Sequence, residues 1–324
     1  MNELNSFERK ILYELDYDAS RSASEIANRL NTSPQRVLYA INSFLKKRLI
    51  KNLIGVIDYR KAGYGVHFVY YNLKWMKRDE EEKMIAYLDQ SPNVGIVLRC
   101  EGRWNLSIGF FAKSLFDLLK EVRKVENLFG AYILDSAKTS HLGSYHGQRS
   151  FLWPEKEERR RYMPITGSEL QAENLDEVDL KLLSLLSRDA RAKSVDLAKK
   201  VSSTPEKVAY RIKKLREKKV LQTATFLPDY SIYPFFRYRV LLKFKSLSQE
   251  KEESLFYALA ANKNVLQAIK NYGSYDMSID IEIEDKKKLR ENLHLILSPF
   301  EDLVHSFDAV LVYDVPKFFY FPTV

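Results

Sequence analysis

Apolar residues recur at helical spacing over Phe7, Ile11, Leu12 and Leu15, and again over Val37, Ile41 and Phe44. Between these runs, Ser22-Ala23-Ser24-Glu25 has the form of a capping box and predicts a short second helix through Leu30. Only residues 31–33 then separate that helix from the third, and so tight a junction predicts a helix-turn-helix. Leu49 to Asp58 reads as extended, a candidate wing. Beyond it the period changes. Gly65–Lys74, Val94–Cys100, Asn105–Ala112 and Ala131–Leu142 are predicted strands. Asp79–Gln90 and Ser114–Glu126 are predicted helices, the second with Leu115, Leu118, Leu119 and Val122 inward. The order is βαββαβ, a ferredoxin-like arrangement.

The whole pattern occurs twice. Pro34 and Pro205 stand 171 residues apart, and the same offset carries Asp18-Ala19 onto Asp189-Ala190 and Tyr39 onto Tyr210. It also carries Asp58-Tyr59 onto Asp229-Tyr230, Asn93-Val94 onto Asn264-Val265, and Gly102 onto Gly273. A gapless register of that length marks an internal repeat. The second copy gives its helical unit over Glu177–Asp229 and its βαββαβ unit over Phe236–Val315. Both copies close on an aromatic run before proline, Phe151-Leu152-Trp153-Pro154 and Phe319-Tyr320-Phe321-Pro322. The expected domains are winged helix-turn-helix 1–60, βαββαβ 61–154, linker 155–174, winged helix-turn-helix 175–231 and βαββαβ 232–324. The fold class is α+β in tandem repeat. The linker is charged, holds Pro164 and Gly167, and is expected to be helical at its start; Arg159-Arg160-Arg161 reads as a solvated charge run.

Composition narrows the chemistry. Of 324 residues, 52 are Lys or Arg and 43 are Asp or Glu, a net charge of +9 that favours a polyanionic partner. The one cysteine, Cys100, excludes an intrachain disulfide and a cysteine-based zinc site. The opening residues lack a signal-peptide core, and no apolar run approaches the roughly 18 residues of a membrane span. A cytoplasmic protein without membrane association is expected. His141 and His146 are expected as a surface pair at a strand end, and no metal or other cofactor is implied. No phosphate-cradling glycine loop and no Ser-His-Asp pattern is present, so the chain is not read as an enzyme.

The third helix of each copy carries the candidate chemistry. Ser33 and Thr204 are N-caps, followed by Pro34 and Pro205 at the first helical position. Opposite the apolar stripe lie Gln35, Arg36, Tyr39, Ser43 and Lys46 in one copy, and Lys207, Tyr210, Lys214 and Lys218 in the other. A basic face tipped by an aromatic suits phosphate contact and base-edge reading in double-stranded DNA. Gln35, Arg36, Tyr39 and Ser43, with Lys207, Tyr210 and Arg211, are expected to read bases. Lys46, Lys47, Lys51, Lys213, Lys214 and Lys218 are expected on phosphate.

Together these residues resemble the Lrp/AsnC family of bacterial and archaeal feast/famine regulators, whose βαββαβ unit is the RAM-type domain. Copy two carries the closer likeness. It has Leu175-Asp176-Glu177-x-Asp179, Asp189-Ala190-Arg191, Val208-x-x-Arg211-Ile212-x-x-Leu215 and the turn Gly273-Ser274-Tyr275-Asp276. Copy one departs, with Ala40 in place of Arg211 and Trp104-Asn105 in place of Tyr275-Asp276. The resemblance implies a sequence-specific transcriptional regulator. Its two βαββαβ units would pair within one chain, an intramolecular pseudo-dimer, with further homo-oligomers left open. It also implies an amino-acid effector near Gly102, Trp104 and Asn105, and near Gly273, Tyr275 and Asp276, with Asp276 pairing an α-ammonium. Two rival readings are a tandem enzyme like the sirohaem decarboxylases and a low-specificity architectural DNA-binding protein. The first needs cations and histidines in the cavity between units, where the sequence offers Arg99 and Lys270.

Overall fold

The structure is a computed structural model describing residues 4–156, 163–165, 172–245 and 248–324. Its first three helices are α1 (Ser6–Asp18), α2 (Ala23–Arg29) and α3 (Pro34–Lys46). Asn5 caps α1 by accepting the Glu8 amide, and Glu8 returns a carboxylate oxygen to the Asn5 amide. Ser22 and Glu25 make the same reciprocal pair at α2, as their spacing predicts. The chain turns between α2 and α3 through Asn31 (φ 49°) and leaves α3 through Arg48 (φ 57°). Copy two has α6 (Glu177–Leu186), α7 (Ser194–Lys200) and α8 (Pro205–Glu217), with Ser202 (φ 50°) and Lys219 (φ 55°) at the equivalent turns. Left-handed backbone costs a non-glycine residue about 1–2 kcal/mol, so packing of the heads must hold all four in place.

The extended stretch after each third helix is a strand, but not half of a hairpin within its own unit. β1 (Ile50–Ile57) pairs antiparallel with β7 (Leu221–Pro228) of the other copy. Equivalent hydrogen bonds then recur in exchange. Ala19 donates its amide to Ala224 while Ala190 donates to Leu53, and Asp58 donates to Val220 while Asp229 donates to Leu49. A pseudo-two-fold axis therefore runs through this ribbon. Each head buries its apolar face partly on the other copy's strand. Ile11, Leu12, Leu15, Val37, Ile41 and Phe44 pack with Ala224 and Phe226, whereas Leu182, Leu183, Leu186, Val208 and Leu215 pack with Ile54 and Ile57. Gly55 is required at one such crossing, because a Cβ there would lie 2.8 Å from the Leu186 carbonyl oxygen.

Copy one continues with β2 (Gly65–Leu73), α4 (Arg78–Gln90), β3 (Val94–Glu101), β4 (Leu106–Ala112), α5 (Leu115–Phe129) and β5 (Ile133–His146). In the linker, β6 (Met163–Ile165) lies antiparallel to the end of β5. The linker's expected helical start and Arg159–Arg161 fall outside the described residues. Copy two has β8 (Phe236–Phe244), α9 (Gln249–Ala261), β9 (Val265–Gly273), β10 (Met277–Ile283), α10 (Lys288–Leu297) and β11 (Val304–Phe318). The strand orders β5-β2-β4-β3 and β11-β8-β10-β9 are the same, and all neighbours are antiparallel. Pairings β3–β11 and β5–β9 join the two sheets at both edges, so the eight strands form a closed ring. Closure leaves no exposed edge in those strands.

Helices α4 and α5 cover the outside of one half through Met84, Leu88, Val122, Val125 and Phe129, and α9 and α10 cover the other through Leu255, Leu259, Leu293 and Ile296. Leu115 and Leu119, expected inward, are 69% and 41% exposed; the inward row of α5 is Leu118, Val122, Val125 and Phe129. No helix of the described residues is long and apolar enough to cross a membrane.

Candidate nucleic-acid interface

Helices α3 and α8 are built alike. Ser33 Oγ accepts the Arg36 amide at 3.3 Å, and Thr204 Oγ1 accepts the Lys207 amide at 3.4 Å, so each helix begins where its Ser/Thr-Pro pair requires. Val37, Ile41 and Phe44 are buried, as are Val208 and Leu215, with Ile212 half-buried beside them. This turns the opposite faces outward. Tyr39 is 77% exposed and Tyr210 is 62% exposed, at equivalent places. Gln35, Arg36, Lys46 and Lys47 are exposed around Tyr39, with Ser43 half-buried. Lys207, Lys213 and Lys214 are exposed around Tyr210. Arg48 and Lys219, the left-handed residues that end these helices, add exposed cations that the periodicity did not single out.

Several expected DNA contacts are committed elsewhere. Lys51 donates from Nζ to Asp314 and to the Val315 carbonyl, both at 3.0 Å, and so ties the end of the first head to β11. Nothing within its own segment reveals that partner. Arg211 makes 2.8 Å ion pairs with Asp176 and Asp179 and anchors α8 to the start of α6. Its place in the resemblance motif is thus explained by packing of the head, and Ala40 replaces it in the first copy, where Asn5 and Glu8 stand for Asp176 and Asp179 and cap α1 with each other. Arg191 of the same motif donates to the carbonyls of Ala19 and Arg21 and bridges the two heads. Lys218 pairs with Glu173 at 3.1 Å. Arg36 lies 4.1 Å from the Phe7 ring centre, and Lys214 pairs with Glu217 at 2.8 Å; both remain exposed, so water screens these contacts.

The turns expected to hold an effector are occupied by the fold itself. Asn105 accepts the Leu73 amide and donates to the Leu73 carbonyl; Asp276 accepts the Phe244 amide at 2.8 Å and Lys243 Nζ at 2.9 Å. Both carboxylate oxygens of Asp276 therefore have partners already, in place of the α-ammonium expected there. Gly102 (φ 137°) and Gly273 (φ 135°) take backbone that side chains rarely adopt. Trp104 and Tyr275, equivalent in the repeat, meet across the axis: the indole N–H donates to the Tyr275 hydroxyl at 2.8 Å, which donates to Asp308 at 2.5 Å.

The inside of the ring holds a charged cluster that sequence reasoning missed. Arg239 donates from Nε and Nη2 to Asp280 at 2.8 Å each, and Arg237 joins the same carboxylate at 2.6 Å. Burial would raise the Asp280 carboxyl, but the two guanidiniums outweigh it and hold the group well below the usual carboxylate range. Arg149 bridges Glu282 and Asp16 close by. His141 stacks on Phe68 inside the ring, 4.9 Å between centres, and His146 is buried near Tyr320. They are not a surface pair. Burial, then Arg239, pushes the His141 imidazole well below its ordinary range and keeps it neutral. The histidines and arginines that a tetrapyrrole site would need are thus present. Their cavities, however, are about 50 and about 20 Å³.

Two family matches fall on the heads. Residues 175–216 match the AsnC-type helix-turn-helix domain, and residues 4–51 match a winged helix-turn-helix DNA-binding family. An uncharacterised helix-turn-helix transcriptional regulator of Pyrococcus abyssi is 25% identical over 145 residues, which is 44% of this chain but 96% of that protein. A helix-turn-helix transcriptional regulator of Pyrococcus horikoshii is 28% identical over 127 residues, 38% of this chain and 80% of the relative. Among solved structures, the siroheme decarboxylase NirDL is similar over 98% of this chain and 94% of its own, with a TM-score of 0.58 and 14% identity. Its complex with an iron-uroporphyrin III analogue gives a TM-score of 0.60 at 12% identity. At that identity the likeness speaks for the fold alone. Relatives the length of one unit fit within half of this chain, a helix-turn-helix match lies in each copy, and the copies close around one axis: the chain is similar to Lrp/AsnC-type regulators, as two such units in tandem in one polypeptide.

Proposed function

We propose that this chain is a sequence-specific regulator of transcription that binds double-stranded DNA with two non-identical reading heads. The observation that carries this reading is the outward display of Tyr39 and Tyr210, each amid lysines and arginines, on the third helix of its head. The names of the Pyrococcus relatives support it. Gln35 and Arg36 are chemically suited to adenine and guanine edges, and Lys46, Lys47, Lys207, Lys213 and Lys214 to phosphate. Because one head offers Gln35 and Arg36 where the other offers Glu206 and Lys207, the site read by a single chain is asymmetric. Its half-sites lie about one helical turn apart, ~34 Å. No effector is assigned to the Gly102 and Gly273 turns, whose polar groups already serve the strands.

Selection of binding sequences from a random duplex pool tests the proposal. An asymmetric site is expected, with Tyr39→Ala relaxing one half and Tyr210→Ala the other. A perfect palindrome would instead indicate a homodimer of tandem chains. Binding that is indifferent to sequence at fixed salt would favour an architectural role.

The enzyme reading has one observation in its favour, the whole-chain likeness to a siroheme decarboxylase together with half-buried His141 and buried His146, Arg237 and Arg239. Against it stands room: ligand pockets usually measure ~300–1,000 Å³. Arg237 and Arg239 are also both committed to the Asp280 carboxylate. A Soret shift on adding sirohaem, with decarboxylation, would establish it over the regulatory reading.

A further inference from the structure

Two adjoining cavities inside the ring share His146, Gln267, Phe318 and Tyr320 in their walls. Arg237 and Asp280 line the larger; Arg239 and His141 line the smaller, of about 20 Å³. Arg239 is 1% exposed and spends Nε and Nη2 on Asp280. Its Nη1 has no hydrogen-bond partner among the described residues, and the same holds for His141 Nε2. The two groups flank one ring: the Arg239 guanidinium lies 4.6 Å from the Phe68 centre and His141 is stacked on it. Their unpartnered nitrogens therefore serve one small space.

Charge decides what suits that space. Two guanidiniums face the single Asp280 carboxylate, leaving one positive charge in excess. The neighbouring Asp16 and Glu282 balance the network as a whole, but both are held by Arg149 and neither lines the small cavity, whose walls carry Arg239 and no carboxylate. A water molecule would satisfy the donors but not the charge, whereas a monovalent anion does both. A cavity of about 20 Å³ admits one water-sized species, since ~10–15 Å³ on this measure suffices for a water. The other walls are Phe68, Phe111, Phe318 and their neighbours, which exclude larger hydrated ions.

We propose that the ring encloses a binding site for one small monovalent anion of the halide class, held by Arg239 Nη1 and by the His141 Nε2–H tautomer. The site is independent of the DNA-binding reading. Crystals of the full chain soaked in sodium bromide should give an anomalous peak within about 3.5 Å of Arg239 Nη1. Thermal unfolding at fixed ionic strength should shift upward when gluconate is replaced by bromide, as for any ligand bound by the folded state alone. His141→Phe keeps the stack on Phe68 and deletes one donor, so it should weaken that bromide dependence several-fold. Bromide found only at surface lysines would be an adventitious ion and would overturn the proposal. So would water-like density without anomalous signal in the cavity, or a midpoint shift that His141→Phe leaves unchanged. The diffraction test needs only the native protein, so it stands even if the variant does not fold.

Discussion

The two halves of the ring share one backbone plan and oppose each other in chemistry. Inside the first, Val66 and Phe68 on β2 face inward with Gly109 and Phe111 on β4. At the same places in the second stand Arg237, Arg239, Asp280 and Glu282, all at most 5% exposed. One sheet is held by apolar contact and the other by a buried ionic network, yet both keep the same strand order. The lesson is that the repeat specifies the path of the chain, while the filling of the ring is free to differ as long as each half satisfies itself. A buried ion pair is hard to break and no guarantee of net stability, so the two halves should respond differently to the same kind of damage.

The largest effects are expected from single cuts on either side. Asp280→Asn leaves Arg237 and Arg239 uncompensated and should cost about 3–5 kcal/mol by denaturant midpoint. Phe68→Ala should cost a similar ~3–5 kcal/mol through its cavity. Acid separates them. The folded-state pKa of Asp280 is depressed, so its contribution is present above the unfolded value of about 3.9 and is lost as pH falls below it. The deficit of Asp280→Asn relative to the native chain should shrink below about pH 4, while that of Phe68→Ala should not. Equal behaviour of the two variants in acid would remove the contrast.

A second test uses histidines that occur in one half only. Burial lowers the pKa of His67 and His141, whose counterparts are Tyr238 and Val312. Burial disfavours the charged form of both in the fold while the unfolded chain gains protons below about pH 6.5, so stability should fall with acid from there. The slope is at most about 1.4 kcal/mol per pH unit for each group. Replacing His141 with Phe should flatten it, and a pH-independent stability between 6.5 and 5 would refute the placement. Smaller again is the axis itself. Trp104→Phe deletes one hydrogen bond to Tyr275 and should cost about 1 kcal/mol beyond lost packing, with a coupling measurable in a double-mutant cycle with Tyr275→Phe. Last comes the tie from head to ring: Lys51→Met should cost up to about 1 kcal/mol, and Gln222→Met, at the matching place, close to nothing. Tyr39→Ala and Tyr210→Ala should leave stability within about 0.5 kcal/mol while impairing DNA binding.

Much of the fold was legible because its signals are local. Caps such as Ser22 with Glu25, the stripe Val37-Ile41-Phe44 and the shift of 171 residues need no tertiary knowledge. The ring interior was not legible, for a physical reason. In Phe236-Arg237-Tyr238-Arg239-Val240, strand alternation assigns the arginines to water and the aromatics to the core. Only Asp280, on a neighbouring strand, reverses that assignment. Lys51 and Arg211 were misjudged in the same way, since a cation on a basic segment looks solvated until its carboxylate arrives from elsewhere in the chain. The turns at Gly102 and Gly273 were recognised as special, but their polar residues strap the ends of β2 and β8.

Joining both seams of the ring within a single polypeptide removes a constraint that association imposes. In a pair of identical subunits every substitution is made twice, so a residue beside the axis meets its own duplicate. Arg239 would then face a second arginine where Phe68 now receives it. Here a change is made once, dilution cannot separate the halves, and no exchange of partners can restore an even pair.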